Sequence, residues 1–362
     1  MKLLLMIPSL GPGGAERVMS LLAGALAARG HDVCLLTLCD ARADFFAVDS
    51  RVRRVALNVA GDSRSVYEAL RSNAGRVRAI RRAVIEAAPD AVLSFMTTMN
   101  VLAILACVGL RTRVVVSERI DPQSHAGEKL WTLLRSIVYP RADALVVQTK
   151  QAAAWFRERL RRTPVAVIPN PVTAAVETAD PSLRMQGRFI LAAGRLVPQK
   201  GFDILIRSFA AIAPEQADVR LVIAGQGPEA EPLRQLAAQL GVQTRVHFAG
   251  AVRTLSALMQ SATVFVLSSR YEGFPNVLLE ALANSVAVIS TDCPGGPREV
   301  LADGKYGVLV ACDDEAGLAA ALNRLLNDGA LRSRLAEAGS EAIRNYRLES
   351  VTAEWERLLL RP

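Results

Sequence analysis

Histidine is scarce in this 362-residue chain: His31, His125 and His247 are the full set, and none stands at a spacing that gathers metal ligands. The cysteines Cys34, Cys39, Cys107, Cys293 and Cys312 are odd in number, scattered and without a Cys-x-x-Cys pair. That argues against a disulfide framework and for reduced thiols in a cytoplasm. No Asp-x-Asp sequence is present to hold a divalent ion. Long apolar runs are missing too. The opening Met1-Lys2-Leu3-Leu4-Leu5-Met6-Ile7-Pro8 is short, lacks a small-residue cleavage pattern and breaks at Pro8, so a first buried strand is expected rather than a signal peptide. The apolar stretch at 101–110 is too short to span a bilayer.

What is present is globular: 51% hydrophobic and 22% charged residues. The length suits two domains of roughly 150 to 200 residues. Charge is unevenly placed. Residues 1–170 hold 24 Lys and Arg against 14 Asp and Glu, whereas the remainder holds 19 against 21. A basic first half points to an anionic partner, either a lipid headgroup or a phosphorylated substrate, unless it reflects only an arginine-rich composition. No nucleic-acid partner is expected.

Short apolar runs at 3–7, 33–38, 91–95, 114–117 and 144–148 read as buried parallel strands, with helical spacing at 17–29 and 65–87 between them. The rhythm restarts with strands at 189–193, 220–224, 246–249, 264–268 and 287–290 and helices at 202–213, 229–240, 255–260 and 277–283. Repeated strand-then-helix order means doubly wound sheets. The expected layout is therefore a first domain over 1–170, a proline-marked linker over 171–187, a second domain over 188–340, and a last helical stretch over 341–362. Two such α/β units facing each other would leave a ligand cleft between them.

Three loops carry candidate chemistry. Gly11-Pro12-Gly13-Gly14-Ala15-Glu16 joins the first strand to its helix, and glycines there let backbone approach a ligand, although a plain tight turn reads the same way. Gly194 to Gly201 places Arg195 and Lys200 on one loop, a guanidinium fork and an ammonium point charge that can converge on a pyrophosphate or stand solvated. Ser268 to Ala283 ends a strand, turns through Gly273-Phe274-Pro275 and opens a helix at Asn276. The N–H groups of Asn276 and Val277 would favour an anion. Glu272 before the helix and Glu280 one turn inside it can each accept hydrogen bonds from vicinal hydroxyls, a sugar on one side and a ribose on the other.

With these residues the chain resembles the retaining family 4 glycosyltransferases of the GT-B fold, in particular a subgroup building bacterial polysaccharides and lipid-linked oligosaccharides. The resemblance rests on Gly13-Gly14-Ala15-Glu16-Arg17, Val167-Ile168-Pro169-Asn170-Pro171, Gly194-Arg195-Leu196 with Gln199-Lys200-Gly201-Phe202, Ile223-Ala224-Gly225-Gln226-Gly227-Pro228, Glu272 and Glu280 eight residues apart, and Asp292-Cys293-Pro294-Gly295-Gly296-Pro297-Arg298-Glu299. It implies that Arg195 and Lys200 hold the donor diphosphate and Glu280 the ribose. Glu272 and the backbone of Gly273, Phe274, Pro275 and Asn276 hold the transferred sugar, and Gly13-Gly14 close over it. It also implies that the last helix crosses back onto the first domain. Many relatives carry a histidine where this chain has Ser117-Glu118-Arg119-Ile120-Asp121, which leaves Glu118 and Arg119 as acceptor-side candidates or as members of a structural salt bridge.

The implied reaction moves a hexose or N-acetylhexosamine from a nucleotide sugar, uridine being the first expectation, to a lipid-linked or polysaccharide acceptor. No metal and no cofactor is expected, and the anomeric configuration is retained. Two other readings stay open: an epimerase or hydrolase on the same fold, and a silent nucleotide-sugar-binding protein. The segment at 64–85 sets Arg71, Arg76, Arg78, Arg81 and Arg82 around an apolar stripe of Val66, Leu70, Val77, Ile80 and Val84. It would be either a helix lying on the cytoplasmic face of an anionic membrane or an ordinary amphipathic helix.

Overall fold

The computed structural model describes residues 1–61, 66–120, 129–172, 187–252 and 255–360. Arg64, Ser65, Asp121, His125 and nearly all of the expected linker lie outside them. The first compact unit begins β1 (Lys2–Ile7), α1 (Gly14–Ala28), β2 (Asp32–Thr37), β3 (Arg53–Ala56), α2 (Val66–Ala87), β4 (Ala91–Phe95) and α3 (Thr97–Cys107). It continues β5 (Arg113–Ser117), α4 (Lys129–Val138), β6 (Ala144–Val147), α5 (Lys150–Arg159) and β7 (Val165–Val167). The seven strands are parallel in the order β3-β2-β1-β4-β5-β6-β7. Helices cover both faces of the central strands, so β4 and β6 are buried throughout; β6 reads as an unbroken apolar run and β4 as one interrupted only by Ser94.

The second unit comprises β8 (Phe189–Ala193), α6 (Phe202–Ile212), β9 (Arg220–Ala224), α7 (Ala230–Gln239), β10 (Val246–Gly250), α8 (Ser256–Ser261) and β11 (Val264–Leu267). It ends with α9 (Asn276–Ala283), β12 (Val288–Thr291), α10 (Pro297–Val300), β13 (Val308–Val310), α11 (Glu315–Asn327) and α12 (Gly329–Ala342). Its six parallel strands run β10-β9-β8-β11-β12-β13. Side chains fix several helix starts: Asp314 accepts from the Gly317 amide at 2.8 Å and Asp328 from that of Leu331 at 2.8 Å.

The expected single helix at the C-terminus is two helices. After α12 a 3-10 turn, Ile343–Tyr346, leads to extended Arg347, and α13 spans Leu348–Leu359. The break has a local cause. The Val172 amide donates to the Tyr346 carbonyl at 2.7 Å and Val172 bridges to Arg347, so this stretch of backbone is engaged laterally and cannot continue the helix. Residues Val172–Arg347 form the second unit, and Leu348–Pro362 belongs with the first. There α13 packs on α1, Trp355 is fully buried with its ring 5.7 Å from that of Phe95, and Glu356 accepts from Arg29 at 2.6 Å.

The described part of the α2 apolar stripe is occupied within the first unit: Ile80 and Val84 are buried and Val77 packs against the same core, so these residues are not offered to a bilayer, while the side chains of Val66 and Leu70 lie outside the described ones. The Arg76 guanidinium donates to the Val59 and Gly61 carbonyls, and that of Arg81 to Ala106 and Val108, while Arg71, Arg78 and Arg82 are exposed. Among the described residues no helix is long and apolar enough to cross a membrane.

Candidate active site

In the second unit the strand order reverses between β8 and β11, neighbours that are far apart in sequence. Ligands of such sheets bind beyond the carboxyl ends of the strands at that reversal. The loop leaving β8 carries Arg195 and Lys200; the loop leaving β11 carries Glu272. Folding brings them together: Lys200 Nζ donates to Glu272 Oε1 at 2.6 Å, with side-chain exposures of only 14% and 6%.

Backbone contacts hold the two loops in register. The Arg270 amide donates to the Gln199 carbonyl at 2.8 Å, and Gln199 Nε2 to the Tyr271 carbonyl at 2.8 Å. Ser268 Oγ donates to the Lys200 carbonyl at 2.8 Å. Gly201 has φ of 61°, and a Cβ there would lie 2.1 Å from the Ser268 carbonyl oxygen, so only glycine closes this junction. Gly295 does the same beneath the catalytic candidate: φ is 105° and a Cβ would sit 2.0 Å from the Glu272 carbonyl oxygen. The Glu272 amide donates to the Pro294 carbonyl at 2.8 Å, which ties the segment after β12 into the same cradle.

Glu272 Oε1 also accepts from Ser269 Oγ at 2.6 Å, while Oε2 accepts nothing from the described residues. The carboxylate is therefore oriented by two donors on one oxygen, with the other left for an incoming hydroxyl. Arg195 is exposed and has no ion pair among the described residues. A charge-bearing ligand would find its fork unused.

One expectation about α9 needs correction. The Asn276 amide is not free at the helix start: it donates to the Phe274 carbonyl at 2.9 Å, closing the Gly-Phe-Pro turn. The amides of Gly273, Phe274 and Val277 donate to no group among the described residues and are the ones left for an anion. Phe274 and Pro275 are buried under the turn, and Glu280 lies half-buried one turn into the helix. Arg270, in the same motif, is committed elsewhere. It pairs with Asp203 on α6 at 2.8 Å and with Asp313 at 2.8 Å.

In the first unit the order reverses between β1 and β4. Gly13 is the N-cap of α1 and Gly14 its first residue, with the Glu16 carboxylate folded back over Gly13. Met96, directly after β4, holds φ of 76°, a conformation rare for a residue with a side chain. Glu118 and Arg119 follow β5 and are buried, but they do not pair with each other. Glu118 accepts from Thr97 Oγ1 at 2.9 Å and from the Tyr139 hydroxyl, with Arg135 Nη1 at 4.0 Å. Burial and the adjacent Glu118 charge push the Tyr139 phenol well above its ordinary pKa. Arg119 lies over the Phe95 ring, 4.1 Å from its centroid, and donates to Asn170 Oδ1, while its Nε has no partner among the described residues. Burial lowers the Arg119 pKa to about 9, the charge of Glu16 acting in the opposite sense. Ser269 and Gln199 lie within the candidate loops, where sequence assigns them no role of their own, whereas the Tyr139–Glu118 bond joins residues with no local sequence signal.

Known proteins match both units. Residues 177–342 match the family described as glycosyl transferases group 1, and residues 13–171 the glycosyl transferase 4-like domain. One relative is the Campylobacter jejuni GalNAc-alpha-(1->4)-GalNAc-alpha-(1->3)-diNAcBac-PP-undecaprenol alpha-1,4-N-acetyl-D-galactosaminyltransferase. It is 30% identical over 360 residues, covering 99% of this chain and 98% of the relative. Among solved structures, sucrose-phosphate synthase of Thermosynechococcus elongatus superposes with a TM-score of 0.86 at 20% identity, covering 99% of this chain and 98% of that one. Anabaena HepE in complex with UDP gives 0.79 at 19% identity, covering 99% of each chain. The paired loops at the second sheet's reversal, the two doubly wound units and the full-length relative agree: the chain belongs to the family 4 glycosyltransferases of the GT-B fold.

Proposed function

We propose that the protein transfers a hexose or N-acetylhexosamine from a UDP-sugar to a polyprenyl-diphosphate-linked saccharide or polysaccharide precursor, with retention of anomeric configuration and without a metal or other cofactor. The observation that carries this reading is the Lys200–Glu272 pair, held at the strand-order reversal by glycine-dependent loops. Lys200, Arg195 and the amides of Gly273, Phe274 and Val277 are suited to a diphosphate, Glu272 to sugar hydroxyls and Glu280 to a ribose. UDP is favoured by the nucleotide in the HepE complex, and a lipid-linked acceptor by the undecaprenol-linked substrate in the name of the Campylobacter relative.

In the proposed reaction the bond from the anomeric carbon to the diphosphate oxygen breaks and one from that carbon to an acceptor hydroxyl oxygen forms on the same face. The hydroxyl proton passes to the departing phosphate oxygen. Negative charge grows on the diphosphate as the sugar becomes oxocarbenium-like, and the cations of Lys200 and Arg195 would meet it. Displacing Lys200 Nζ toward phosphate would release Glu272 Oε1 for the sugar, so donor binding would exchange one ion pair for two substrate contacts.

Calorimetric titration with UDP, GDP and ADP tests the donor assignment. UDP should bind, and Glu280→Ala should weaken it by about tenfold or more, the worth of a charge-assisted hydrogen bond. Binding of none of the three, or an unchanged affinity in the variant, would defeat the assignment.

A further inference from the structure

Arg270 stands two residues before Glu272 in the loop leaving β11 and takes no part in the reaction proposed above. Its bonds nevertheless converge on the stretch that carries Lys200. Pro198–Lys200 is a 3-10 turn between β8 and α6, and such turns have poor hydrogen-bond geometry of their own. Here each of its three carbonyls is gripped from the segment 268–270. The Arg270 guanidinium donates to the Pro198 carbonyl at 2.6 Å and the Arg270 amide to that of Gln199 at 2.8 Å. Ser268 Oγ takes the third, that of Lys200, at 2.8 Å.

The guanidinium is itself held from two sides. Its fork meets the Asp203 carboxylate in the first turn of α6, Nη1 to Oδ1 at 3.0 Å and Nη2 to Oδ2 at 2.8 Å. Nε donates to Asp313 Oδ1 at 2.8 Å. Asp313, in the loop after β13, keeps φ of 56°, a conformation uncommon for a residue with a side chain. A bidentate pair fixes the guanidinium plane, so the N–H aimed at Pro198 has a set direction; an ammonium offers no such fork. One side chain thus ties together the loops after β8, β11 and β13. With Arg270 29% exposed and its two carboxylates more so, these pairs are worth only about 0–1 kcal/mol each to stability. What the network secures is geometry.

We propose that Arg270 is a positioning residue for sugar transfer: it fixes the backbone of Lys200, so that the ammonium exchanges Glu272 for the donor diphosphate by side-chain rotation alone. The place of this hold in catalysis, though not the network itself, rests on the reaction proposed above. Alanine at 270 would keep the amide bond to Gln199 but lose the grip on Pro198 and the ties to Asp203 and Asp313. The Lys200 chain would then swing from a loosened base, and its Nζ, now 2.6 Å from Glu272 Oε1, would meet that oxygen less often.

Two measurements on the full chain test this. Acetylation of Lys200 by an N-hydroxysuccinimide ester, read by peptide mass spectrometry, needs no ligand. It should run severalfold faster in Arg270→Ala and in Asp203→Asn/Asp313→Asn. The second measurement is steady-state transfer. Arg270→Ala should lower kcat by about tenfold or more, the worth of a charge-assisted hydrogen bond, yet cost little further in a Lys200→Ala background. A residue that only supports the fold would cost the same factor in both backgrounds. Arg270→Lys, which keeps the charge without the fork, should stay impaired. Should Arg270→Ala fail to fold, Asp203→Asn/Asp313→Asn, which retains Arg270, carries the same comparison. Equal losses in the two backgrounds, full activity in Arg270→Lys, or unchanged Lys200 acetylation in a folded variant would overturn the proposal. Faster acetylation in the variants of a protein that, unaltered, transfers no sugar would strike the proposed reaction and leave the hold on Lys200 standing.

Discussion

Glu272 is held as a substrate-binding carboxylate should be, with both of its donors, Lys200 and Ser269, on one oxygen. Lys200 is expected to serve the leaving diphosphate as well. Replacing it with alanine should lower turnover by about 10²–10³-fold, the usual effect of removing one preorganised electrostatic contact. Because Lys200 and Glu272 form one unit, Lys200→Ala/Glu272→Gln should lose much less than the product of the two single losses; steady-state kinetics on all three variants would test this. Gly295 has no chemistry of its own, yet a Cβ there collides with the Glu272 carbonyl. Gly295→Ala should therefore reduce sugar transfer far more than affinity for free UDP, as read by turnover against calorimetry. Equal losses in both would mean that the cradle serves the nucleotide rather than the sugar.

The elements divide by how locally they are determined. Central strands such as β4 and β8 were legible because burial on both faces makes them mainly apolar runs, 91–95 broken only by Ser94 and 189–193 unbroken. The edge strands β3, β7 and β13 were not: Arg53–Ala56 begins with two arginines, and the others are three residues long and half-buried. The three candidate loops were legible from glycine and charge spacing, but the closure of the Asn276 amide onto Phe274 depends on turn geometry that composition does not specify. Likewise the break between α12 and α13 follows from Val172, distant in sequence. The α13 helix is fastened to the end of α1 through Glu356, whose carboxyl lies below its ordinary pKa because His31 and Arg29 hydrogen-bond to it. A depressed folded-state pKa contributes stability above the unfolded value and loses it as pH falls through the folded value. Glu356→Gln should thus lower stability by about 0.5–1 kcal/mol at neutral pH, the pair being partly exposed. The difference from the unaltered protein should fade as pH drops below about 4.5, the ordinary carboxyl value. Urea unfolding of both proteins at neutral and acid pH would show it.

At the scale of the molecule, one chain builds two doubly wound units and puts a candidate site at the strand-order reversal of each. The second unit concentrates the groups suited to a diphosphate and a ribose, while the first holds the excess of Lys and Arg and the buried Glu118 and Arg119. Under the proposed function the second unit would serve the donor and the first the acceptor. The most direct test is incubation of the protein with radiolabelled UDP-N-acetylhexosamine or UDP-hexose and a polyprenyl-diphosphate-linked saccharide, followed by organic extraction. Label should move into the lipid phase with the unaltered protein and stay in the aqueous phase with Lys200→Ala. Consumption of the sugar nucleotide to free sugar or an epimer, with no labelled lipid or glycan formed, would contradict the account.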